Sequence, residues 1–151
     1  MNIELRTIDE TNRRAVELLE VANSQKQYIA SNKASLETAQ SEEFREVARP
    51  FAIYADGRMV GFTMFAFDLA SPNPDDRYWL WRFMIDKALQ RNGYGSAALE
   101  IIIEYFRSHG ATHILLSTKD TNTAALSLYH KQCFSETGEM NDDETVLRLD
   151  L

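Results

Sequence analysis

An apolar segment in the middle of the chain runs through a glycine-containing turn into an amphipathic segment, and this unit constrains the fold more than any other feature. Residues 78–86 are largely apolar and predict a strand in the middle of a sheet. The turn at residues 90–95 follows. Residues 93–109 then carry their apolar side chains on one broad stripe, as expected of a helix packed on a sheet. The sequence therefore predicts helices layered on a sheet.

Other periodic segments flank this unit. Residues 2–8 alternate and predict a first strand, followed by a helix capped by Asp9 and by a polar helix at residues 35–44. The Asp56-Gly57 pair between two alternating runs predicts a β-hairpin. The remaining segments are a strand at 113–117, a helix at about 121–132 and closing strands at 134–139 and 144–149. We expect an α/β (α+β) fold with a central mixed, mostly antiparallel sheet of about six to seven strands, flanked by about four helices.

Length, charge and composition bound the class of protein. With 151 residues, 44% of them hydrophobic, the chain is expected to form one domain over residues 1–151. The formal net charge of −7 argues against nucleic acid as a partner, because phosphate backbones bind to basic surfaces. No apolar run approaches the ~20 residues of a membrane span, and the N-terminus does not resemble a signal peptide. We therefore expect a cytoplasmic protein without a membrane partner.

Metal and disulfide chemistry are not expected. The only cysteine, Cys133, cannot form a disulfide within the chain or a thiolate metal cluster. His109, His113 and His130 do not share a metal-ligand spacing on one helix. We expect Cys133 to be a small buried side chain and the three histidines to be structural or exposed.

The turn at residues 90–96 is a candidate anion site. Glycines at a strand-to-helix turn let backbone N–H groups point outward together, and the helix N-terminus adds partial positive charge, which suits a pyrophosphate. Taken alone, the turn is equally consistent with a plain connection. It is not a Walker P-loop, because no Gly-Lys-Ser/Thr follows, and a dinucleotide-binding turn spaces its glycines differently.

A second motif lies some 30 residues further along, after the next strand. It reads Asn122-x-x-Ala-x-x-Leu-Tyr-x-x-x-Cys-Phe134. Together with Gln90-x-x-Gly-x-Gly95, it resembles the GNAT superfamily of N-acetyltransferases in order, spacing and flanking elements. The resemblance is sharp over residues 79–134 and extends in element order over roughly residues 3–149.

Within that superfamily, two further segments resemble the bacterial spermine/spermidine acetyltransferases of the diamine type. They are residues 80–86 (Leu-x-Arg-Phe-x-Ile-Asp) and residues 23–29 (Asn-Ser-Gln-x-x-Tyr-Ile). Two residues depart from the family pattern. Cys133 stands where glycine is usual, and a non-glycine residue suits a left-handed helix cap poorly, so we expect that turn to differ in detail. Trp81 stands where some relatives carry an acidic residue facing the substrate.

The resemblance implies acetyl-CoA as cofactor. Backbone N–H groups of the 90–96 turn would hold its pyrophosphate, with added charge from Arg91 and Lys131. Met84 and Ile85 would pair with the pantetheine arm through their backbones, where the strand must splay from its neighbour. The residues expected at the cofactor are Met84, Ile85, Gln90, Arg91, Asn92, Gly93, Tyr94, Gly95, Ser96, Asn122 and Lys131. Without the motif, Asn122 reads as a helix cap and the two cations as solvated side chains.

The resemblance also implies the catalytic groups. Tyr129 would act as general acid toward the departing thiolate, because a phenol of pKa ~10 is close to a thiol of pKa ~8.5. Outside the motif, a tyrosine on an apolar helix face is usually a core residue. A backbone N–H at the splayed strand would meet the developing oxyanion. An alkylamine of pKa ~10.4 must lose a proton before it attacks. The candidate bases, or groups that bind a polycation, are Glu42, Glu43, Glu46, Asp68, Asp75 and Asp76.

We therefore expect an N-acetyltransferase that moves acetyl from acetyl-CoA to a primary amine, directly in a ternary complex. Cys133 is not expected to act as a nucleophile. The resemblance and the acidic composition favour a small-molecule polyamine such as spermine or spermidine. Two alternatives stay open: an acceptor that is a protein N-terminus, a lysine or an aminoglycoside, and a sensor of acyl-CoA or polyamine without turnover. Homodimers are common among the relatives that the chain resembles.

Overall fold

The computed structural model describes all 151 residues. Its strands are β1 (Ile3–Thr7), β2 (Ala48–Ala55), β3 (Arg58–Phe67), β4 (Tyr78–Ile85), β5 (His113–Thr118), β6 (Ser135–Asn141) and β7 (Glu144–Asp150). Its α-helices are α1 (Arg13–Leu18), α2 (Asn32–Gln40), α3 (Tyr94–Ser108) and α4 (Thr123–Lys131). The strands form one sheet in the order β1-β2-β3-β4-β5-β7-β6. Every neighbouring pair is antiparallel except β4 and β5, so the predicted mixed, mostly antiparallel sheet is confirmed.

Two apolar cores lie on opposite faces of the sheet. On one face, Leu99 and Phe106 of α3 and Tyr129 of α4 pack with Leu116 of β5. On the other, side chains of α1 and α2 pack with Phe62 of β3. The helices are therefore divided between the two faces, α3 and α4 on one and α1 and α2 on the other.

The structure corrects two details of the predicted helices. The polar helix α2 spans Asn32–Gln40 rather than residues 35–44, because the Ser31 hydroxyl caps it by accepting from the Ala34 N–H at 3.2 Å. Asp9 does not cap α1. Its carboxylate accepts from the Thr11 N–H at 2.8 Å, and the residue at the N-cap position is Asn12.

The sheet opens between β4 and β5. These two parallel strands pair at a single register position, Trp79 with Leu115, and separate beyond it. A bulge in β4 lies close to this point. Met64 of β3 pairs with Arg82 and Phe65 pairs with Leu80, which leaves Trp81 as the extra residue. The strand predicted for the middle of the sheet is thus confirmed, and it borders an opening.

None of the helices has the length and hydropathy that crossing a lipid bilayer would require.

Candidate active site

A cavity of about 990 Å³ occupies the opening between β4 and β5, and we call it the central cavity. It is lined by β4, the carboxyl end of β5, α4 and the first turn of α3, together with the segment before α2. The Tyr28 hydroxyl of that segment donates to Thr121 Oγ1 at 3.1 Å, so the segment crosses from one wall to the other. A cavity of this size accommodates a ligand of cofactor dimensions.

The central cavity has walls on both faces of the sheet. Leu80 packs with the core of α3 and α4, whereas Met84 packs with that of α1 and α2. A regular strand would place these two residues on the same face. The extra residue at the Trp81 bulge shifts the alternation of side chains by one position, so Met84 lies on the face opposite Leu80. Trp81 and Arg82 both lie toward α2, where Phe44 contacts the Trp81 ring at 5.0 Å between centroids.

The turn before α3 presents free backbone donors at one end of the cavity. None of the N–H groups of residues 91–96 donates to a protein acceptor, and the first that does, Ala97, donates to the Gly93 carbonyl at 3.1 Å. Gly93 adopts φ +82°, a left-handed conformation that begins the helix. Arg91 also has a positive φ of 64° and lines the cavity. These donors, added to the helix dipole, suit an anion such as a pyrophosphate.

Side chains of the turn also brace it. Gln90 Nε2 donates to the Ile85 carbonyl at 2.9 Å and to Gln25 Oε1 at 2.9 Å, and Gln25 Nε2 donates back to Gln90 Oε1 at 3.2 Å. The Asn92 amide donates to the Leu89 carbonyl at 3.0 Å. The side chains of Gln90 and Asn92 thus hold the backbone in place, which leaves the N–H groups of the turn to face a ligand.

The open edge of β4 offers backbone groups to the cavity. The Asp86 N–H donates to the Val60 carbonyl of β3 at 2.9 Å, and alternation therefore turns the backbone groups of Ile85 toward the opening. Phe83 has the same orientation, two residues earlier. The Met84 carbonyl faces β3, where a Cβ on Gly61 would overlap it. Both strand residues predicted at the cofactor line the cavity. Ile85 turns its backbone to the opening, whereas the Met84 carbonyl faces β3, which differs from the backbone pairing predicted for Met84.

Two motif residues of the α4 region line the central cavity. Tyr129 is 9% exposed, and its hydroxyl makes no hydrogen bond to protein; burial raises its pKa well above the ordinary value. Asn122 occupies the N-cap position without a side-chain capping bond. Its Nδ2 donates to Thr118 Oγ1 at 3.0 Å, which leaves Oδ1 free to accept. Lys131 is exposed and lies at a separate surface depression beside His130.

The turn after α4 corrects the expectation for Cys133. Its side chain is exposed and not buried as expected. The residue adopts φ +71°, the left-handed conformation that favours glycine. The Cys133 N–H donates to the His130 carbonyl and the Phe134 N–H donates to the Tyr129 carbonyl, each at 3.0 Å. The Phe134 side chain packs against Tyr129, with ring centroids 5.8 Å apart, which completes a Schellman-type cap. The family geometry is therefore retained without the glycine, and the cost is backbone strain in Cys133.

Of the six acidic candidates, two reach the central cavity. Asp68 and Asp76 line it, whereas Glu42, Glu43 and Glu46 are exposed outside it and Asp75 pairs with Arg148 at 3.3 Å. Sequence reasoning missed a third carboxylate in the lining, Glu144 at the start of β7. It singled out Trp81 at a substrate-facing position and Tyr28 within segment 23–29, but did not predict that they form one aromatic wall with Phe44 and Trp79. No local pattern marks this arrangement, because the fold brings the residues together from distant parts of the chain.

The chain is similar to known proteins in both sequence and fold. A sequence model of the Acetyltransferase (GNAT) family matches residues 15–134. The chain is 32% identical over 144 residues to a probable spermine N(1)-acetyltransferase of Bacillus subtilis subsp. natto (strain BEST195). It is 31% identical over 144 residues to a spermine/spermidine N(1)-acetyltransferase of Bacillus subtilis (strain 168). Each alignment covers 93% of both chains.

Solved structures share the fold at lower sequence identity. The aminoglycoside acetyltransferase AAC(6')-Ib in complex with coenzyme A aligns with a TM-score of 0.77 at 16% identity, covering 99% of this chain and 95% of that one. A putative acetyltransferase of Salmonella typhimurium, yncA, with its cofactor acetyl-CoA, aligns with a TM-score of 0.71 at 18% identity, covering 100% and 95%. The chain thus shares the fold of these acetyltransferases. The chain belongs to the GNAT acetyltransferase family and is an acetyl-CoA-dependent N-acetyltransferase.

Proposed function

We propose that this enzyme acetylates a primary amino group of a polyamine such as spermine or spermidine. Acetyl transfer is direct in a ternary complex, with Tyr129 as general acid and residues 1–151 acting as one catalytic domain. The layout of the central cavity supports this function. The central cavity joins free backbone donors and a buried tyrosine hydroxyl on the α3 and α4 face to carboxylates and aromatic rings on the other side of the opening.

The residues present fit acetyl-CoA, which supplies an acetyl group activated as a thioester when bound. In the proposed arrangement, the N–H groups of residues 91–96 donate to the pyrophosphate, with the Arg91 guanidinium nearby. The backbone N–H and carbonyl groups of Ile85 and Phe83 form hydrogen bonds with the pantetheine arm, as those of a neighbouring strand would. The free Oδ1 of Asn122 accepts a hydrogen bond from the cofactor arm. Lys131 would have to reach the phosphates from the solvent side of α4.

Tyr129 holds the proton that the reaction needs at the sulfur. Burial raises the pKa of its hydroxyl above the ordinary value, so the phenol holds its proton at neutral pH. The hydroxyl has no competing acceptor in the protein and lies in the cavity wall. A proton donor placed at a departing thiolate accelerates acyl transfer by about 10²–10⁴-fold. A sensor without turnover would have no use for such a group.

The acceptor side of the cavity suits a cationic chain. Asp68 and Asp76 line it, and Phe44 and Trp81 supply apolar surface for methylene segments. Aromatic faces also attract ammonium groups. The curated relatives with 31–32% identity, which are named as spermine or spermine/spermidine acetyltransferases, support the same substrate class.

The test is a thiol-release assay with acetyl-CoA and a panel of acceptors: spermine, spermidine, putrescine, a lysine peptide, a peptide with a free N-terminus and an aminoglycoside. We expect kcat/KM to be highest for spermine or spermidine by at least tenfold. A higher kcat/KM for a peptide or the aminoglycoside would overturn the polyamine assignment. Tight acetyl-CoA binding without turnover of any acceptor would overturn the proposed acetylation of polyamines.

A further inference from the structure

Glu144 is placed beside the opening of the sheet by two strands. It is the first residue of β7, and its Oε1 accepts a hydrogen bond from Ser117 Oγ of β5 at 2.8 Å. Ser117 lies two residues beyond Leu115, the residue of β5 that pairs with β4. On β4, the bulged residue Trp81 likewise lies two residues beyond Trp79, which pairs with Leu115. The Glu144 carboxylate therefore lies at the level where β4 and β5 begin to separate.

Glu144 and Tyr129 approach the cavity from opposite faces. Leu116 of β5 and Leu147 of β7 pack in the core of α3 and α4, the core that contains Tyr129. Ser117 is adjacent to Leu116 and points to the other face, where it meets Glu144. An acceptor nitrogen held at Glu144 would therefore lie across the opening from the general acid.

One oxygen of Glu144 is available to a ligand. Oε1 accepts from Ser117, whereas Oε2 has no hydrogen-bond or ion-pair partner in the protein. The neighbouring cation is Arg82, whose Nε donates to Ser35 Oγ at 3.2 Å and whose Nη1 donates to the Trp81 carbonyl at 3.1 Å. Burial lowers the pKa of Arg82, and the charge of Glu144 opposes that effect. No ion pair joins the Arg82 guanidinium to the Glu144 carboxylate, so Oε2 stays available to a ligand.

Resting on the proposed function, we infer that Glu144 binds the reacting amino group of the acceptor through Oε2, with Ser117 as its positioning residue. The same carboxylate serves both protonation states of the acceptor. An ammonium donates to it as a charge-assisted hydrogen bond, and the free amine still donates one N–H while its lone pair points toward the opening. Asp68 and Asp76, which line the same cavity, bind further ammonium groups of an extended polyamine.

The chemistry balances with one proton released. The ammonium loses a proton to water and becomes the nucleophile. The new N–C bond forms as the C–S bond breaks, and the nitrogen loses a second proton to water. The sulfur gains a proton from Tyr129, and the tyrosinate then takes one back from water. The sum is ammonium plus thioester giving amide, thiol and one proton. Glu144 supplies binding and orientation, and the proton it helps to release goes to solvent.

The experiment compares Glu144→Gln with Asp143→Asn. Glutamine retains an oxygen that accepts from Ser117 but removes the charge. Asp143 is the preceding residue on the same hairpin, is exposed, pairs with Lys119 at 3.4 Å and lies outside the cavity lining, so it controls for the change in net charge. We measure KM and kcat for spermine, the Kd of spermine by calorimetry without acetyl-CoA, and the Kd of acetyl-CoA.

We expect Glu144→Gln to raise both KM and Kd for spermine at least tenfold, with the Kd of acetyl-CoA within twofold of the wild type, and Asp143→Asn to match the wild type. Ser117→Ala, which keeps the charge, should raise KM by a smaller factor. An unchanged spermine KM and Kd in Glu144→Gln would overturn the inference, as would an equal loss of acetyl-CoA binding. If the wild type prefers another amine, the proposed substrate fails, and the same comparison on that amine decides the role of Glu144 separately.

Discussion

The side-chain amides of Gln25 and Gln90 form a reciprocal pair of hydrogen bonds, 2.9 and 3.2 Å long, between the segment before α2 and the turn before α3. The pair joins two parts of the chain 65 residues apart. Gln90 also donates to the Ile85 carbonyl, at the end of the open strand edge. The turn before α3, the open edge of β4 and the segment that crosses the cavity are therefore linked by two amides.

Gln25→Ala should loosen the turn without removing any group that faces the cofactor phosphates. Three hydrogen bonds are lost, each contributing about 1 kcal/mol: the two with Gln90 and the one that Gln25 Oε1 accepts from the Ala22 N–H at 3.2 Å. Gln90 then retains only its bond to Ile85. We expect the Kd of acetyl-CoA to rise about threefold to tenfold, because the turn must be ordered on binding. Gln40→Ala, an exposed change at the end of α2, is the control. Unchanged acetyl-CoA binding in Gln25→Ala would contradict the bracing role.

Tyr129→Phe should lower kcat by about 10²-fold or more and leave the Kd of acetyl-CoA within twofold. The ring packing against Phe134 is retained, and only the hydroxyl in the cavity is lost. Steady-state kinetics and calorimetry separate the two effects. Tyr105→Phe is the matched control, because its hydroxyl accepts from Arg49 at 3.2 Å and lies outside the cavity lining. Wild-type turnover in Tyr129→Phe would remove the general-acid role.

The same tyrosine should make the enzyme less stable in alkali. Its pKa is raised in the folded state by burial, whereas in the unfolded chain it ionises near pH ~10. Below that pH both states hold the proton and stability is unaffected. Above it the unfolded state binds fewer protons, so the wild type loses up to about 1.4 kcal/mol per pH unit relative to Tyr129→Phe. Urea unfolding of both proteins at pH 8 and pH 11 measures this difference, and equal losses in the two proteins would contradict it.

Gly61→Ala should destabilise the fold by about 1–3 kcal/mol, since the added Cβ overlaps the Met84 carbonyl and strand backbones cannot yield cheaply. Displacement of β4 should also weaken acetyl-CoA binding. Gly95→Ala is the contrasting change. Its Cβ would meet Leu128 Cδ2 at 3.6 Å, an ordinary contact, in the first turn of a helix where alanine is favoured. Urea unfolding should show the first variant weakened and the second at least as stable as the wild type.

Cys133→Gly should stabilise the protein by up to about 1 kcal/mol, because it relieves a left-handed backbone in a residue with a side chain. Cys133 is exposed, so little packing is lost. Cys133→Ala retains the strain and should not stabilise. Equal stability of the glycine and alanine variants would show that the cap carries no strain.

Local signals account for the parts of the fold that sequence predicted closely. The apolar run of β4, the glycines of the turn and the helical stripe of α3 act within a few residues of one another, and α3 was predicted at residues 93–109 and observed at Tyr94–Ser108. The end of α2 was less predictable, because Phe44, beyond the helix, is held by a tertiary contact with Trp81. Cys133 shows the opposite case. Burial of Phe134 and the bonds that close the cap outweigh a local preference for glycine.

The order of the elements, the spacing of the two motifs and the family can be predicted from the chain alone, since each depends on residues close together in sequence. The extent of the opening in the sheet cannot, because it depends on β4 and β5 pairing at a single position. Folding is also needed to bring Glu144 beside Ser117, 27 residues away, and to place it on the opposite face from Tyr129. The turn before α3 is local and has a sequence signature, whereas the far side of the central cavity is assembled from separate strands and has none.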